Sequence, residues 1–173
     1  MNMILCGMPS CGKTYYGKII ANKLNRSFID IDELITNQYF KLHQINLTCR
    51  EITIREGDCY FRKLETDAVK ELTHIKNSVI SLGGGTLCFK NNISYLENLG
   101  QIFYLKTSLE ILLKRIAQNN VIPTTLDPKR LKESLEDLHA QRHPIYEALC
   151  SKCIDTSKEN VIKVLHQYAN EGT

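Results

Sequence analysis

A short run of residues near the start of the chain has the types and spacing needed to bind nucleotide phosphates. Residues 7–14 read GMPSCGKT and match the phosphate-loop (P-loop) pattern G-x-x-x-x-G-K-[ST] in full. In such a loop the glycines let successive backbone N–H groups turn toward phosphate oxygens. The lysine supplies a mobile cation to the β- and γ-phosphates, and the next hydroxyl is a ligand for Mg²⁺. The candidate nucleotide-binding residues are Gly7, Ser10, Cys11, Gly12, Lys13 and Thr14.

Two carboxylates form a second candidate site. Asp30 and Asp32 lie in the run FIDIDE at residues 28–33, where an apolar segment ends. Ligands of open α/β sheets bind beside the carboxyl ends of the strands, so these carboxylates could serve Mg²⁺ and an acceptor hydroxyl. Asp32 could also be the N-cap of a helix that begins at Glu33. The two roles are compatible, so capping does not exclude the chemical one.

Arg62 allows two interpretations. It could form a surface ion pair with Glu65, three residues further along the same helix, and such pairs contribute little. Its planar guanidinium could instead bind a carboxylate of an acceptor molecule through two hydrogen bonds. The surrounding residues do not decide between these interpretations.

Three consecutive glycines, residues 83–85, follow the mainly apolar run VISL at residues 79–82. Because glycine has no side chain, such a run lets the backbone approach a ligand closely. This apolar run ends without the aspartate that many P-loop proteins place near Mg²⁺. We therefore expect Asp30 to take that role, acting through a water molecule.

The pattern of apolar segments indicates how the chain brings these residues together. Short apolar runs alternate with segments of helical period, which is typical of a parallel sheet flanked by helices. We predict an α/β fold: the single-domain P-loop kinase fold over residues 1–173, with a five-stranded parallel sheet flanked by helices and a mobile lid. The predicted strands are residues 3–6, 28–30, 79–82, 102–105 and 153–155.

One segment interrupts the alternation of strands and helices. Residues 119–128 contain two prolines, two asparagines and two threonines, and they separate two segments of clear helical period. In most folds such a segment is a surface loop, but in a small P-loop kinase a lid that excludes water from the phosphates lies here. We predict this lid at about residues 118–130, which we call the lid segment.

Composition and charge exclude several classes of protein. A hydrophobic fraction of 43% and a charged fraction of 24% are ordinary for a folded domain. A net charge of +3 is too small to indicate nucleic-acid binding, and no apolar stretch reaches membrane-spanning length. The seven cysteines, with no room for a signal peptide before the first strand, predict reduced thiols in the cytoplasm. We expect a monomer with small-molecule partners.

In their order and spacing these motifs resemble those of the shikimate kinase family, whose members are small nucleoside monophosphate kinase-like P-loop proteins. The resemblance extends over nearly the whole chain. The elements that carry it are the phosphate loop at 7–14, FIDID at 28–32, G-x-x-x-F-R-x-x-E at 57–65, SLGGG at 81–85, R-x-P-x-Y at 142–146 and IDT at 154–156.

The resemblance implies an enzyme that transfers the γ-phosphoryl group of ATP to the 3-hydroxyl of shikimate, with Mg²⁺ as cofactor. Thr14 and Asp30 would hold the metal, Lys13 and Asp32 would be the catalytic residues, and Arg115 would flank the adenine. The residues implied to bind shikimate are Asp32, Phe61, Arg62, Gly84, Gly85 and Arg142.

The sequence also departs from the family pattern. Ser10 occupies a loop position that is usually glycine. The family's lid pattern, Asn-x-x-Arg-Pro, carries an arginine that reaches both the phosphates and the acceptor, and this chain has Ile122 at that position. Either Lys129 or Arg130 replaces this arginine, or catalysis is weak, or the acceptor differs. Residues 41–55 look longer and less regular than the corresponding part of the family's acceptor site.

Two other functions remain open at this point. A kinase for gluconate or another small hydroxy acid would keep Lys13, Thr14 and Asp32 but use the arginines differently. A nucleotide-binding module without turnover would account for Ile122, but it would have no use for an acceptor pocket.

Overall fold

The predicted apolar runs form one parallel sheet in the computed structural model, which describes residues 1–119 and 122–171. The ends of the five strands differ from the predicted ends by no more than two residues. These strands are β1 (Asn2–Cys6), β2 (Ser27–Asp30), β3 (Ser78–Ser81), β4 (Gly100–Lys106) and β5 (Lys152–Asp155). Their order across the sheet is β2-β3-β1-β4-β5, and every pairing is parallel. The predicted α/β class and five-stranded parallel sheet are confirmed.

Strand β1 lies at the centre of the sheet and determines where the phosphate loop lies. It pairs with β3 through Met3 and Val79 and with β4 through Met3 and Gln101. All its residues are buried, as expected for a parallel strand covered on both faces. The loop that follows β1 therefore emerges at the middle of the carboxyl edge, where the strand order changes direction and ligands of such sheets bind.

Helices flank this sheet. Helix α1 packs so closely on β2 that a Cβ atom at Gly17 would lie 2.4 Å from the ring of Phe28. This contact accounts for a glycine inside a helix, where it otherwise costs stability. The helices of the described residues are α1 (Lys13–Lys23), α2 (Ile31–His43), α3 (Cys49–Glu56), α4 (Asp58–Glu71), α5 (Lys90–Leu99), α6 (Leu109–Asn119), α7 (Leu131–Leu149) and α8 (Val161–Glu171).

Helix α2 begins earlier than the sequence indicates. Asp30, and not Asp32, is its N-cap: the side chain of Asp30 accepts a hydrogen bond of 3.0 Å from the backbone N–H of Asp32. Asp32 therefore lies in the first turn of the helix, and its carboxyl group is not used for capping.

Residues 41–55 are more regular than we expected. Helix α2 continues to His43, and α3 begins at Cys49 after a short connection. A capping box starts α3, because Thr48 accepts from the backbone N–H of Glu51 while the Glu51 carboxylate accepts from the backbone N–H of Thr48 at 2.8 Å. This segment thus contributes a fixed helix beside α2 and α4.

The lid segment is only partly described, because Asn120 and Val121 lie outside the described residues. Its last part, Pro128–Arg130, forms one turn of 3-10 helix, and Leu126 is buried. Within the described ranges no helix has the length and apolar character required to cross a membrane. All seven cysteines carry free thiols.

Candidate active site

A cavity of about 670 Å³ opens at the carboxyl edge of the sheet. Two predicted residues, Gly7 and Cys11, do not line it, because they are buried inside the phosphate loop. The remaining predicted site residues all line it, although they come from distant parts of the chain. They are Ser10, Gly12, Lys13, Thr14, Asp30, Asp32, Phe61, Arg62, Gly84, Gly85, Arg115 and Arg142.

Two glycines shape the phosphate loop. Gly7 and Gly12 have positive φ values of 144° and 105°, which side chains disfavour. A Cβ atom at Gly7 would also lie 2.8 Å from the carbonyl oxygen of Leu105. Lys13 opens helix α1, where unpaired N–H groups of the first turn favour an anion. Its Nζ donates hydrogen bonds of 3.0 Å to the carbonyls of Gly7 and Met8, so the cation lies within the loop.

Ser10 occupies a position that favours glycine, which accounts for the family's usual choice. Its φ of 63° lies in the left-handed region, which costs a residue other than glycine about 1 kcal/mol. Arg115 of α6 holds this part of the loop, because its Nη1 donates to the carbonyls of Ser10 and Cys11 at 3.0 Å each. Arg115 therefore stabilises the loop, and its contact with adenine stays a prediction.

Thr14 and Asp30 are in direct contact. The Thr14 hydroxyl donates to Asp30 Oδ2 at 2.8 Å, and the Asp30 side chain is held by its capping bond to α2. A hydroxyl and a carboxylate next to the phosphate loop are the oxygen donors that Mg²⁺ prefers. The donor set therefore fits a magnesium ion shared with nucleotide phosphates.

Asp32 lies between the charged groups of the two substrate regions. Lys13 from the phosphate loop and Arg62 from α4 both act on its carboxylate. Desolvation of the carboxylate by the surrounding protein atoms is the largest effect, and repulsion from Asp30 is the second. Together they outweigh the two cations and raise the pKa of Asp32 to about 6. The side chain nevertheless faces the open cavity and remains exposed, so a ligand can reach this carboxyl group.

Arg62 is fixed within the cavity by a buried partner. Its Nη1 is 2.9 Å from Glu65 Oε2, and the other oxygen of Glu65 accepts from the Thr86 hydroxyl at 2.7 Å. The guanidinium also lies over the rings of Phe61 and Phe89, at 5.2 and 4.7 Å from their centroids. The ion pair with Glu65 exists, but it is not a surface pair, because Glu65 is only 1% exposed. It orients an arginine that lines the cavity.

The three glycines provide space for two arginines. A Cβ atom at Gly84 would lie 3.0 Å from Arg142 Nη1, and one at Gly85 would lie 3.0 Å from Arg62 Nη1. The hydroxyl of Tyr146 donates to the carbonyl of Gly84 and anchors this loop to α7. The glycines therefore let both guanidinium groups approach the backbone, which the sequence alone did not indicate.

The sequence interpretation did not anticipate that helix α3 contributes to the cavity. Cys49, Arg50 and Thr53 line it, and the Cys49 thiol donates to the backbone carbonyl of Asp32 at 3.5 Å. The signal that would have found them is the spacing Thr48-x-x-Glu51, which predicts a capping box and a helix start.

The cavity thus has two sides. The nucleotide side consists of residues 9, 10 and 12–16 with Asp30 and Arg115, and the acceptor side consists of Asp32, Arg62, Arg142 and residues 83–85. The phosphate loop and the contacting pair of Thr14 and Asp30 lie on the first side. Two fixed arginines and one carboxyl group lie on the second, a set that suits a hydroxylated molecule with a carboxylate.

Comparison with known proteins agrees with this geometry. A family model described as shikimate kinase matches residues 9–171. The shikimate kinase of Thermodesulfovibrio yellowstonii is 32% identical over 179 aligned residues, covering 99% of each chain. That of Haemophilus influenzae is 31% identical, covering 96% of this chain and 89% of the relative.

Among solved structures, shikimate kinase from Acinetobacter baumannii in complex with shikimate superposes with a TM-score of 0.84 and 30% identity. The match covers 98% of this chain and 90% of that one. Shikimate kinase from Bacteroides thetaiotaomicron has a TM-score of 0.85 and 25% identity, covering 98% of each chain. Sequence and structure therefore agree with the predicted resemblance over nearly the entire length. The chain belongs to the shikimate kinase family.

Proposed function

We propose that this chain transfers the γ-phosphoryl group of ATP to the 3-hydroxyl of shikimate, a step in the biosynthesis of aromatic amino acids through chorismate. The observation that carries the proposal is one cavity with a phosphate loop on one side and two arginines with a carboxyl group on the other. Substrates bound on these two sides would lie next to each other, and such proximity supplies much of the rate of a transfer reaction.

On the nucleotide side, the loop backbone and Lys13 would bind the phosphates of ATP, and Lys13 would exchange its carbonyl partners for phosphate oxygens. Thr14 and Asp30, which are already in contact, would hold Mg²⁺. The metal would neutralise negative charge on the β- and γ-phosphates. Arg115 supports this arrangement by holding the loop carbonyls.

On the acceptor side, Arg62 and Arg142 would bind the carboxylate of shikimate, and the backbone N–H groups of Gly84 and Gly85 would add donors. Phe61 would pack near the ring. Several contacts support these roles: the ion pair of Arg62 with Glu65 fixes one guanidinium, and Arg142 is 8% exposed and lies against the glycine backbone.

Asp32 would orient the attacking hydroxyl and accept its proton. In the transfer, a bond forms between the acceptor oxygen and the γ-phosphorus while the bond from this phosphorus to the bridging oxygen of ADP breaks. The transition state of such transfers is loose, so positioning and charge neutralisation matter more than the strength of the base. A carboxyl group with a pKa near 6 suits this role at neutral pH.

The proposal includes a lid at residues 118–130, a monomeric state and a cytoplasmic location. For the lid, support comes from Pro123, Thr124 and Thr125, which line the cavity. Lid closure would exclude water and so suppress hydrolysis of ATP.

The experiment that tests the function measures ADP production from ATP and Mg²⁺ with shikimate, with gluconate and with no acceptor. We expect turnover that depends on shikimate and stops when the metal is chelated. Activity with gluconate alone would instead assign the chain to another hydroxy-acid kinase. Nucleotide binding without turnover in either reaction would indicate a non-catalytic module.

A further inference from the structure

The two basic residues of the lid segment that the sequence offered as replacements for an arginine do not line the cavity. Lys129 and Arg130 lie in the exposed 3-10 turn before α7. Ile122 adds no charge and packs partly against the hydrophobic core. Within the described part of the lid segment, therefore, no lysine or arginine lines the cavity.

Helix α3 contributes a cation to the cavity from another direction. Arg50 lies in its first turn and lines the cavity that also contains Lys13 and Thr14. Its Nη1 donates a hydrogen bond to the backbone carbonyl of Ile122. The guanidinium of Arg50 thus lies beside Ile122, the residue that stands in the sequence where the family pattern has its arginine.

The backbone at the start of α3, which carries Arg50, is held next to Asp32. The preceding residue, Cys49, donates its thiol to the carbonyl of Asp32, so the start of α3 is attached to the residue that would orient the acceptor hydroxyl. The Thr48 capping box fixes the same turn. The side chain of Arg50 therefore extends from a backbone position next to Asp32, where the two sides of the cavity meet.

The guanidinium of Arg50 has donors available for a ligand. Across the described ranges, no carboxylate lies within ion-pair distance of Arg50, whereas Arg62 is paired with Glu65 and Arg55 with Glu56. A guanidinium carries five N–H donors and always bears its charge, so the bond to Ile122 leaves donors unused.

We infer that Arg50 supplies, from helix α3, the positive charge that the lid segment does not bring to the cavity, and that it acts on the transferring phosphoryl group. This inference rests on the proposed function. One N–H group holds the backbone of Ile122, and the remaining donors bind oxygens of the γ-phosphoryl group as negative charge shifts toward ADP. Arg50 exchanges no proton in this step, since the hydroxyl proton goes to Asp32.

The test compares Arg50→Ala, Arg50→Lys and Arg50→Gln with the control Arg55→Ala, which removes an exposed arginine of the same helix that does not line the cavity. We expect Arg50→Ala to lower kcat about 100-fold or more. Arg55→Ala should stay within about twofold of wild type. All variants should keep the wild-type melting temperature.

Lysine and glutamine separate charge from hydrogen bonding. Lysine keeps the charge, and glutamine keeps a donor for the Ile122 carbonyl, so we expect Arg50→Lys to retain much more activity than Arg50→Gln. Guanidinium ion at millimolar concentration should partly restore kcat of Arg50→Ala, which a structural defect would not allow.

Three outcomes would count against the inference. If Arg50→Ala turns over shikimate at the wild-type rate, or if glutamine serves as well as lysine, Arg50 has no charge role. If wild type itself is inactive with shikimate, the proposed function fails, and the inference fails with it. The wild-type measurement therefore distinguishes the two failures.

Discussion

The two sides of the cavity are built in different ways. The nucleotide side comes mainly from one continuous stretch, in which backbone conformation, set by Gly7 and Gly12, creates the binding surface. The acceptor side consists of side chains from α2, α4, α7 and the loop after β3, held by contacts such as Arg62 with Glu65. A local sequence pattern is sufficient to predict the first side, whereas the second exists only because the whole sheet is assembled.

This difference makes a general prediction about substitutions. Changes on the nucleotide side should abolish activity with any acceptor, because every reaction needs the phosphates in place. Changes on the acceptor side should alter the response to shikimate and leave the affinity for ATP intact. Each of the following experiments tests this separation.

The largest expected effect comes from Lys13→Ala. Its cation would lie against the phosphates that carry the transferred charge, so we expect turnover to fall by about 1,000-fold or more. ADP production at saturating shikimate measures this loss. The control is Lys23→Ala, an exposed lysine at the far end of the same helix; near-native turnover of Lys13→Ala would refute the phosphate-loop assignment.

Arg62→Lys should have a smaller and more selective effect. Lysine keeps the charge but loses the planar pair of donors, so we expect kcat/KM for shikimate to fall about 10- to 100-fold. The dissociation constant for ATP should change little. Kinetics at varied shikimate, with nucleotide binding measured separately and the exposed Lys63→Ala as control, test this; an unchanged response to shikimate would remove Arg62 from the acceptor side.

The carboxyl group at the boundary should govern the pH dependence. Because the pKa of Asp32 is raised to about 6, kcat/KM should fall about tenfold per pH unit below that value. The folded protein also binds this proton more tightly than the unfolded chain does. The protonated Asp32 therefore contributes to the free energy of unfolding at low pH, and this contribution is lost as the pH rises through about 6.

Asp32→Asn separates these two effects. It should remove activity yet raise the melting temperature near pH 8, and this gain should vanish near pH 4. Thermal unfolding at both pH values measures it. A lower melting temperature near pH 8 would show that the ionised carboxylate stabilises the fold, contrary to the raised pKa.

The smallest effect concerns the nucleotide side alone. Ser10→Gly replaces a side chain at a φ of 63°, so we expect a gain of up to about 1 kcal/mol in the free energy of unfolding. Activity should stay within about twofold of wild type, since the loop keeps its shape. Denaturant unfolding of the two proteins is the measurement, and a loss of stability would show that Ser10 makes a contact that outweighs its backbone strain.

The fold and its family could be predicted because buried parallel strands appear as short apolar runs and the phosphate loop is a contiguous pattern. The predicted strand at 79–82, for example, is β3 displaced by one residue. The sequence was less informative about the exact ends of helices, where neighbouring residues could serve as the N-cap at similar energies. In the run Asp30-Ile31-Asp32 either aspartate could cap α2, and the structure shows that Asp30 does so.

Helix α3 was missed because its apolar signal is small. Ile52 is its one buried residue, so the helix has no repeating pattern of apolar residues that would reveal it. The sequence signal is instead the polar capping box at its start. The sequence predicted a close approach of residues 83–85 to a ligand, but it did not predict the contacts of Gly84 and Gly85 with arginines from α4 and α7. Such contacts depend on tertiary structure and have no local signature.

The tight fit of the glycine loop bears on drug resistance. An inhibitor that mimics the acceptor would contact a surface in which any side chain at Gly84 or Gly85 meets an arginine at about 3.0 Å. A mutation that blocks the inhibitor there would also displace a guanidinium group that, under the proposed function, binds the substrate. Escape by substitution at these two positions would therefore also lower the turnover of the natural substrate.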